Sequence, residues 1–364
     1  MSEKTLFYPL DIESMPIIRY AHLFLKANSY LACSHRGWIQ TGQNISVLDG
    51  GDCIDIEVCF DFYEAINRCD QVVILETKNL LDIEQYVIPQ IVESIRNRKK
   101  VICLRQLETK WYDEIRTIVG DNNYEQYFEK NDIIFLKEKN NIFRRIETPV
   151  VAVVGGGEST NKLQTELSLM DNFTQLGYKV CLICSRNNLT GKNIFPQPNY
   201  LYENNRSEYE KICSFNQYVF EIEKKEKPDL IILGLPGGTE YICDSIHYDF
   251  GLHILEAFKA VPPDAVVYNL PFLQYIDSNS INYFAQRFEN KFEIGIDALV
   301  MANLIHNSTG SHFQGCMDYY VINHNKIKMF ESLKINDSFD DNQMKKIVNL
   351  IENKLASNAM HRMV

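Results

Sequence analysis

The sequence lacks most of the short signatures that identify a chemistry. It contains no Gly-x-Ser-x-Gly, no His-Glu-x-x-His and no repeat at a fixed period. Nucleophile-elbow hydrolases, helix-borne zinc peptidases and solenoids are therefore not expected. No apolar run reaches the ~18 residues of a membrane-spanning helix, and no secretory leader is read, so a cytoplasmic, reducing location is expected. Ten cysteines are scattered through the chain, with a single Cys-x-x-Cys at Cys181 and Cys184. That pair lies in a strand-like run, where odd spacing turns the thiols to opposite faces, so no metal is expected. Positive charge is scarce: 37 Lys and Arg against 48 Asp and Glu leave a net charge of −11. That balance argues against nucleic acid or an acidic membrane as partner. The basic run Arg96–Lys100 reads as a solvated helix end. Glycine is missing from the first strand–helix turn, Leu6 to Asp11, which leaves a dinucleotide cofactor unsupported.

What is present is a globular composition, 45% hydrophobic and 23% charged over 364 residues, enough for two domains. Short β-rich runs alternate with helical periodicity in both halves, predicting two doubly wound α/β domains with mainly parallel sheets. The N-terminal one (1–146) reads as Rossmann-like, with strands near residues 5–9, 30–33, 71–75, 101–104 and 132–136. One helix is expected over 82–96, with Pro89 as a kink. The polar stretch Lys137–Thr148 marks the boundary. The second domain (147–335) is followed by a C-terminal helix and frayed tail (336–364).

The second domain opens on Val150–Val154, the glycines Gly155, Gly156 and Gly157, then Ser159, Thr160, Asn161 and Lys162, and a helical run. Strand, glycine turn, lysine and helix form the layout of a phosphate-binding loop, which strictly reads G-x-x-x-x-G-K-[ST]. Here Asn161 takes the second glycine's place, and its Cβ is expected to crowd the turn. Leu163 takes the hydroxyl's place. Thr160 or Thr165 could supply a displaced hydroxyl. Further on, Leu230–Leu233 leads into Gly234-Leu-Pro-Gly237-Gly238-Thr239. The unit from Val150 to Arg186 resembles the opening of P-loop ATPases of the MinD and Mrp type. The resemblance implies a strand-end aspartate at Gly234, an acid near Ser185-Arg186, and a γ-phosphate-sensing loop at Gly237 and Gly238. Neither acid is present. Phosphoryl transfer depends on positioning around Mg²⁺, so the C-terminal domain is expected to be P-loop NTPase-like in fold with a degenerate loop and no ATP hydrolysis. The phosphate- or anion-binding candidates are Gly155, Gly156, Gly157, Ser159, Thr160, Lys162, Gly237 and Gly238. No metal site is expected. A nucleotide or phosphorylated ligand would bind without a well-formed Mg²⁺ site.

A narrower resemblance is carried by Phe7–Asp11 with Pro16–Tyr20, Arg36-Gly37-Trp38 with Thr41-Gly42, and Gly156-Gly157-Glu158 with Lys162-Leu163-Gln164. It continues through Lys179-Val180, Ser185-Arg186, Phe195-Pro196, Lys211-Ile212 with Phe215-Asn216, and Lys227–Asp229 to Gly238. On these residues the chain resembles the peptide maturation system proteins encoded beside radical-SAM maturases of Cys-rich or bacteriocin-like ribosomal peptides. The resemblance implies an accessory role, with the precursor peptide and a maturase or carrier protein as partners, and no assigned catalytic residues. The alternative is an enzyme that binds a nucleotide or phosphorylated ligand at Gly155–Lys162 and activates or transfers a group to a peptide. Arg19, His35 and Arg36 are further cleft candidates in the N-terminal half, and His306, His312 and Cys316 form a polar loop cluster.

Overall fold

The computed structural model describes residues 3–26, 29–130, 143–202, 205–240, 250–307, 309–311 and 318–362. The chain divides into two compact units, Met1–Ile133 with Asn188–Lys192, and Ile134–Asn187 with Asn193–Val364.

The first unit holds β1 (Lys4–Tyr8), β2 (Ser29–Cys33), β3 (Glu57–Cys59), β4 (Gln71–Ile74), β5 (Lys100–Cys103) and β6 (Phe128–Lys130). They form one parallel sheet in the order β3-β2-β1-β4-β5-β6. This is the strand order of dinucleotide-binding folds, with its reversal between β1 and β4. Leu6, Tyr8, Leu31, Val72, Ile74 and Val101 pack on one face against Ile88, Ile91, Val92 and Ile95 of the Ile88–Arg96 helix. Two helices replace the single kinked one expected: Ile83–Tyr86 and Ile88–Arg96, with Pro89 in the first turn of the second. A proline there sacrifices an amide that has no helical partner anyway, so it starts a helix instead of bending one. The strand expected at 132–136 lies outside the described residues.

The second unit holds β7 (Val150–Gly155), β8 (Val180–Ile183), β9 (Ile194–Phe195), β10 (Leu230–Gly234), β11 (Ala265–Leu270), β12 (Ala298–Met301), β13 (Leu304–His306), β14 (Tyr319–Val321) and β15 (Ile335–Asn336). Seven of them make a parallel sheet, β15-β12-β11-β7-β10-β8-β9, while β13 and β14 pair antiparallel. Every residue of β7, β8, β10 and β11 is buried, as a parallel sheet covered on both faces requires. The Lys162–Gln175 helix is itself enclosed, with 11 of its 14 residues buried. The Asp341–Arg362 helix packs on it, burying Met344, Ile347, Val348 and Ile351 at helical spacing. That helix is part of the second unit. Gly177, at φ +95°, ends the inner helix, where the Gly177 amide donates to Thr174 O and the Tyr178 amide to Phe173 O. In this topology the turns after β7, β10 and β11 gather at the carboxyl edge of three adjacent strands.

Candidate functional site

The glycine loop begins where β7 ends, and its backbone is held from both neighbouring strands. Gly156 N donates to Asn269 O at 3.0 Å from β11. After β10, Thr239 N donates to Gly155 O at 3.0 Å and Glu240 N to Gly156 O at 3.2 Å. The approach is close enough to require glycine. A Cβ on Gly155 would meet Thr160 Oγ1 at 2.4 Å, and one on Gly238 would meet Gly156 O and Gly157 Cα at 2.6 Å. Thr160, fully buried, donates its hydroxyl to Gly157 O at 3.0 Å. Asn269 closes the loop by donating Nδ2 to Thr160 O and Thr165 Oγ1, both at 2.8 Å. Ser159 is half-buried on the same turn.

Asn161 corrects one expectation. It adopts the left-handed conformation, φ 56° and ψ 26°, which asparagine tolerates better than other side chains. Its Nδ2 donates to Asn303 Oδ1 at 2.7 Å. The turn that glycine would make is therefore made, with its Cβ accommodated. Lys162 follows as the first helical residue, only 6% exposed, and its Nζ donates to Gly237 O. The candidates Gly155, Gly156, Gly157, Ser159, Thr160, Lys162, Gly237 and Gly238 are thus brought together. No side chain caps the Lys162–Gln175 helix, so its N-terminal amides and dipole favour an anion.

A buried carboxyl lies one turn into that helix, at a position that the loop pattern does not mark. Glu166 is fully buried, and its Oε2 accepts from Ser185 N at 3.1 Å. Its carboxyl fills the space a side chain at Gly234 would need, since a Cβ there would lie 2.3–2.6 Å from the Glu166 carboxyl atoms. Glu166 Oε1 has no hydrogen-bond partner. Burial pushes the carboxyl above its ordinary range, and Ser185 and Lys162 pull the other way. Sequence reasoning missed this residue, although Glu166 falls three positions after Leu163 and four before Met170, on the apolar stripe of the helix. Thr165 Oγ1 donates to Asn161 O at 3.3 Å. Neither threonine replaces Leu163 as a free hydroxyl. Among the described residues, no group of three or more His, Cys, Asp or Glu could hold a metal ion.

Among the described residues, three cations converge on the turn after β10. Besides Lys162, Lys291 Nζ donates to Thr239 O at 3.0 Å and Arg287 pairs with Glu240 at 3.1 Å. Burial raises the Glu240 carboxyl despite both. Lys291 and Arg287 come from the Ser278–Phe292 helix, about 130 residues beyond the loop, which no local motif could reveal.

The N-terminal candidates separate into different roles. Arg19 forms a two-point ion pair with Asp49 (Nε–Oδ2 2.6 Å, Nη2–Oδ1 2.8 Å) and donates to Asp52 O at 2.9 Å, so it clamps a loop. Arg36 is exposed in the turn after β2. His35 lies among Tyr8, Trp38 and Tyr86. His306 Nε2 bonds Ser311 Oγ at 3.0 Å, while His312 and Cys316 lie outside the described residues.

The fold is doubly wound α/β in both units. Comparison with solved structures places the chain beside a DUF1611 family protein from Anabaena variabilis, with a TM-score of 0.57 and 8% identity over 97% of this chain and 100% of that one. At that identity the likeness shows the fold. It is also similar, at a TM-score of 0.34 and 9% identity, to a plasmid partition protein from Borrelia burgdorferi bound to AMPPNP, over 58% of this chain and 100% of that one. For the MinD cell division protein of Aquifex aeolicus the values are 0.32 and 12%, over 57% and 98%. No protein-family model matches the chain, and no curated protein does. Among the described residues no helix is long and apolar enough to cross a membrane.

Proposed function

We propose that this chain is an accessory protein of ribosomal-peptide maturation, engaging the precursor peptide, its radical-SAM maturase or both without hydrolysing ATP. One observation carries the non-hydrolytic part. Both protein oxygens that would support Mg²⁺ are replaced by packing: Leu163 is a buried apolar residue, and Gly234 is overlain by the Glu166 carboxyl. Without those supports, phosphoryl transfer loses most of its electrostatic stabilisation. The maturation part rests on the resemblance carried from Phe7–Asp11 to Pro236–Gly238. Affinity purification of the tagged chain with its neighbouring maturase and a synthetic precursor peptide tests it, alongside phosphate release from ATP with Mg²⁺. Stable association and phosphate release no faster than in Lys162→Ala support the proposal. Mg²⁺-dependent turnover that Lys162→Ala abolishes would overturn it.

A second reading is favoured by the preserved turn at Asn161 and the uncapped helix above it. In it, Gly155–Lys162 holds a phosphorylated ligand while a group is transferred to a peptide. Calorimetric titration with ATP, GTP and a phosphorylated carrier, with and without Mg²⁺, separates the two. Binding that is indifferent to Mg²⁺ and lost in Lys162→Ala supports this second reading.

A further inference from the structure

The lateral edge of the second unit's sheet is not closed like its centre. β15 is the outermost strand there and pairs with β12 alone, Ile335 standing opposite Leu299. Beside this pair lies a groove of about 640 Å³, walled by the Ser278–Phe292 helix, the residues of β12 and β15, and the Asp341–Arg362 helix. Its size is that of a small-molecule site. Ile281, Ala285, Ile296, Leu299 and Leu333 are only half-buried on its walls, and Leu350 is 45% exposed. A second chamber of about 220 Å³ shares Ile281 and Leu299 with the groove and continues along Leu270, Leu273, Ile276 and Phe284.

The polar groups on these walls decide what fits. In the chamber, Ser280 Oγ already donates to Asp277 Oδ1 at 2.6 Å, and the other side-chain hydroxyl belongs to Tyr283, which is 64% exposed. A peptide backbone entering there would give up its hydrogen bonds to water and find few in return, whereas a hydrocarbon chain has none to lose. The groove carries four charged side chains, Asp297, Glu331, Lys334 and Lys346. Asp297 accepts from Lys354 Nζ at 2.7 and 2.8 Å, and Lys346 donates to Glu331 at 3.0 Å. Lys334 remains, with no ion-pair partner among the described residues, one position before the residue that pairs with Leu299. The walls therefore present one uncompensated positive charge beside a hydrocarbon-lined path.

We propose that this groove and chamber bind a long-chain fatty acid, with its carboxylate at Lys334 and its chain running over Leu299 and Ile281 into the chamber. The site uses none of the glycine-loop residues and is independent of the function proposed for them. Titration of the full-length protein with the fluorescent acid dansylaminoundecanoate should show saturable binding of one molecule per chain. Octanoate, decanoate and dodecanoate should displace it with affinities rising about tenfold for every two methylenes. Dodecanol should bind more weakly than dodecanoate, and Lys334→Gln, which keeps the aliphatic stem, should abolish that difference. Ser280→Trp fills the chamber and Ala285→Leu fills the groove, both from the same helix. Each should weaken dodecanoate about tenfold or more with an unchanged Tm. No saturable displacement, affinities indifferent to chain length, a Lys334→Gln variant that still prefers the acid, or unchanged binding in both filled variants would each overturn the proposal. So would an apolar peptide amide that displaces the fluorescent acid as well as dodecanoate does, or loss of its binding as the protein is concentrated, which would mean that a second copy covers the groove.

Discussion

If the Glu166 carboxyl occupies the space of a side chain at Gly234, the two positions must be energetically coupled. In Gly234→Ala the new methyl would lie 2.3 Å from Glu166 Cδ and 2.4 and 2.6 Å from its oxygens. Glu166 is fully buried and cannot swing into water. The displacement should cost about 1–3 kcal/mol, the range for overpacking a filled core. Gly234→Asp, which restores the acid of the hydrolytic pattern, should cost about 3–5 kcal/mol because it buries a second carboxylate against the first. Glu166→Ala alone leaves Ser185 N without its acceptor, at about 1–3 kcal/mol. In Gly234→Ala/Glu166→Ala the methyl enters vacated space, so the double variant should be more stable than the sum by about 1–3 kcal/mol. Urea unfolding of the four proteins, compared through midpoints at a common m-value, measures this coupling. Additivity within about 0.5 kcal/mol would refute the claim that one carboxyl fills the other residue's place.

Asn161→Ala should destabilise by about 2–3 kcal/mol, combining left-handed strain with a lost bond to Asn303, while Asn161→Gly should cost less than half as much; thermal melts compare them, and equal losses would contradict the left-handed assignment. Arg19→Lys should not rescue Arg19→Ala, which should cost about 3–5 kcal/mol, because one ammonium cannot make the two-point contact with the half-stripped Asp49; urea midpoints decide it. The buried Asp11 carboxyl is raised from 3.8 to about 6 because burial outweighs its three amide donors. A carboxyl raised on folding binds its proton more tightly in the native state, so stability falls as pH rises from 3.8 to about 6, by up to ~3 kcal/mol for this group. Unfolding free energies across that window should lose this slope in Asp11→Asn. Glu166 shifts in the same direction from 4.5, so Glu166→Gln should gain stability over the unsubstituted protein as pH rises above 4.5.

The fold was legible because β7, β10 and the Ala265–Tyr268 part of β11 are unbroken apolar runs and their helices end on readable caps such as Gly177. Strands β3 and β9 were not legible. Glu57–Cys59 and Ile194–Phe195 are only three and two residues long at the sheet edges, too short for a period to show. The glycine loop announced itself by local spacing, and so did Lys162. Glu166, Asn269, Asn303 and Lys291 did not, because their roles arise from contacts between 19 and 142 positions apart. Asn161 shows the opposite limit. Its identity suggested a damaged turn, but asparagine is among the few residues that can adopt the backbone conformation required there.

A consequence follows for any ligand at Gly155–Lys162. The polar side chains that look available in sequence are bound to backbone carbonyls of the loop itself or of the turn after β10. Lys162 serves Gly237 O, Thr160 serves Gly157 O, and Thr165 serves Asn161 O. An anion that recruits Lys162 must first break a charged hydrogen bond worth about 1.5–3 kcal/mol. That competition weakens affinity by roughly ten- to hundredfold relative to a loop with a free lysine. A ligand overcomes this deficit only by adding contacts elsewhere, and Lys291 and Arg287 beside the turn after β10 can make them only by giving up Thr239 O and Glu240 in the same way. A polyanion spanning all three cations is therefore favoured over inorganic phosphate, and the ratio of their affinities should fall toward one when Lys291 and Arg287 are both replaced by Ala.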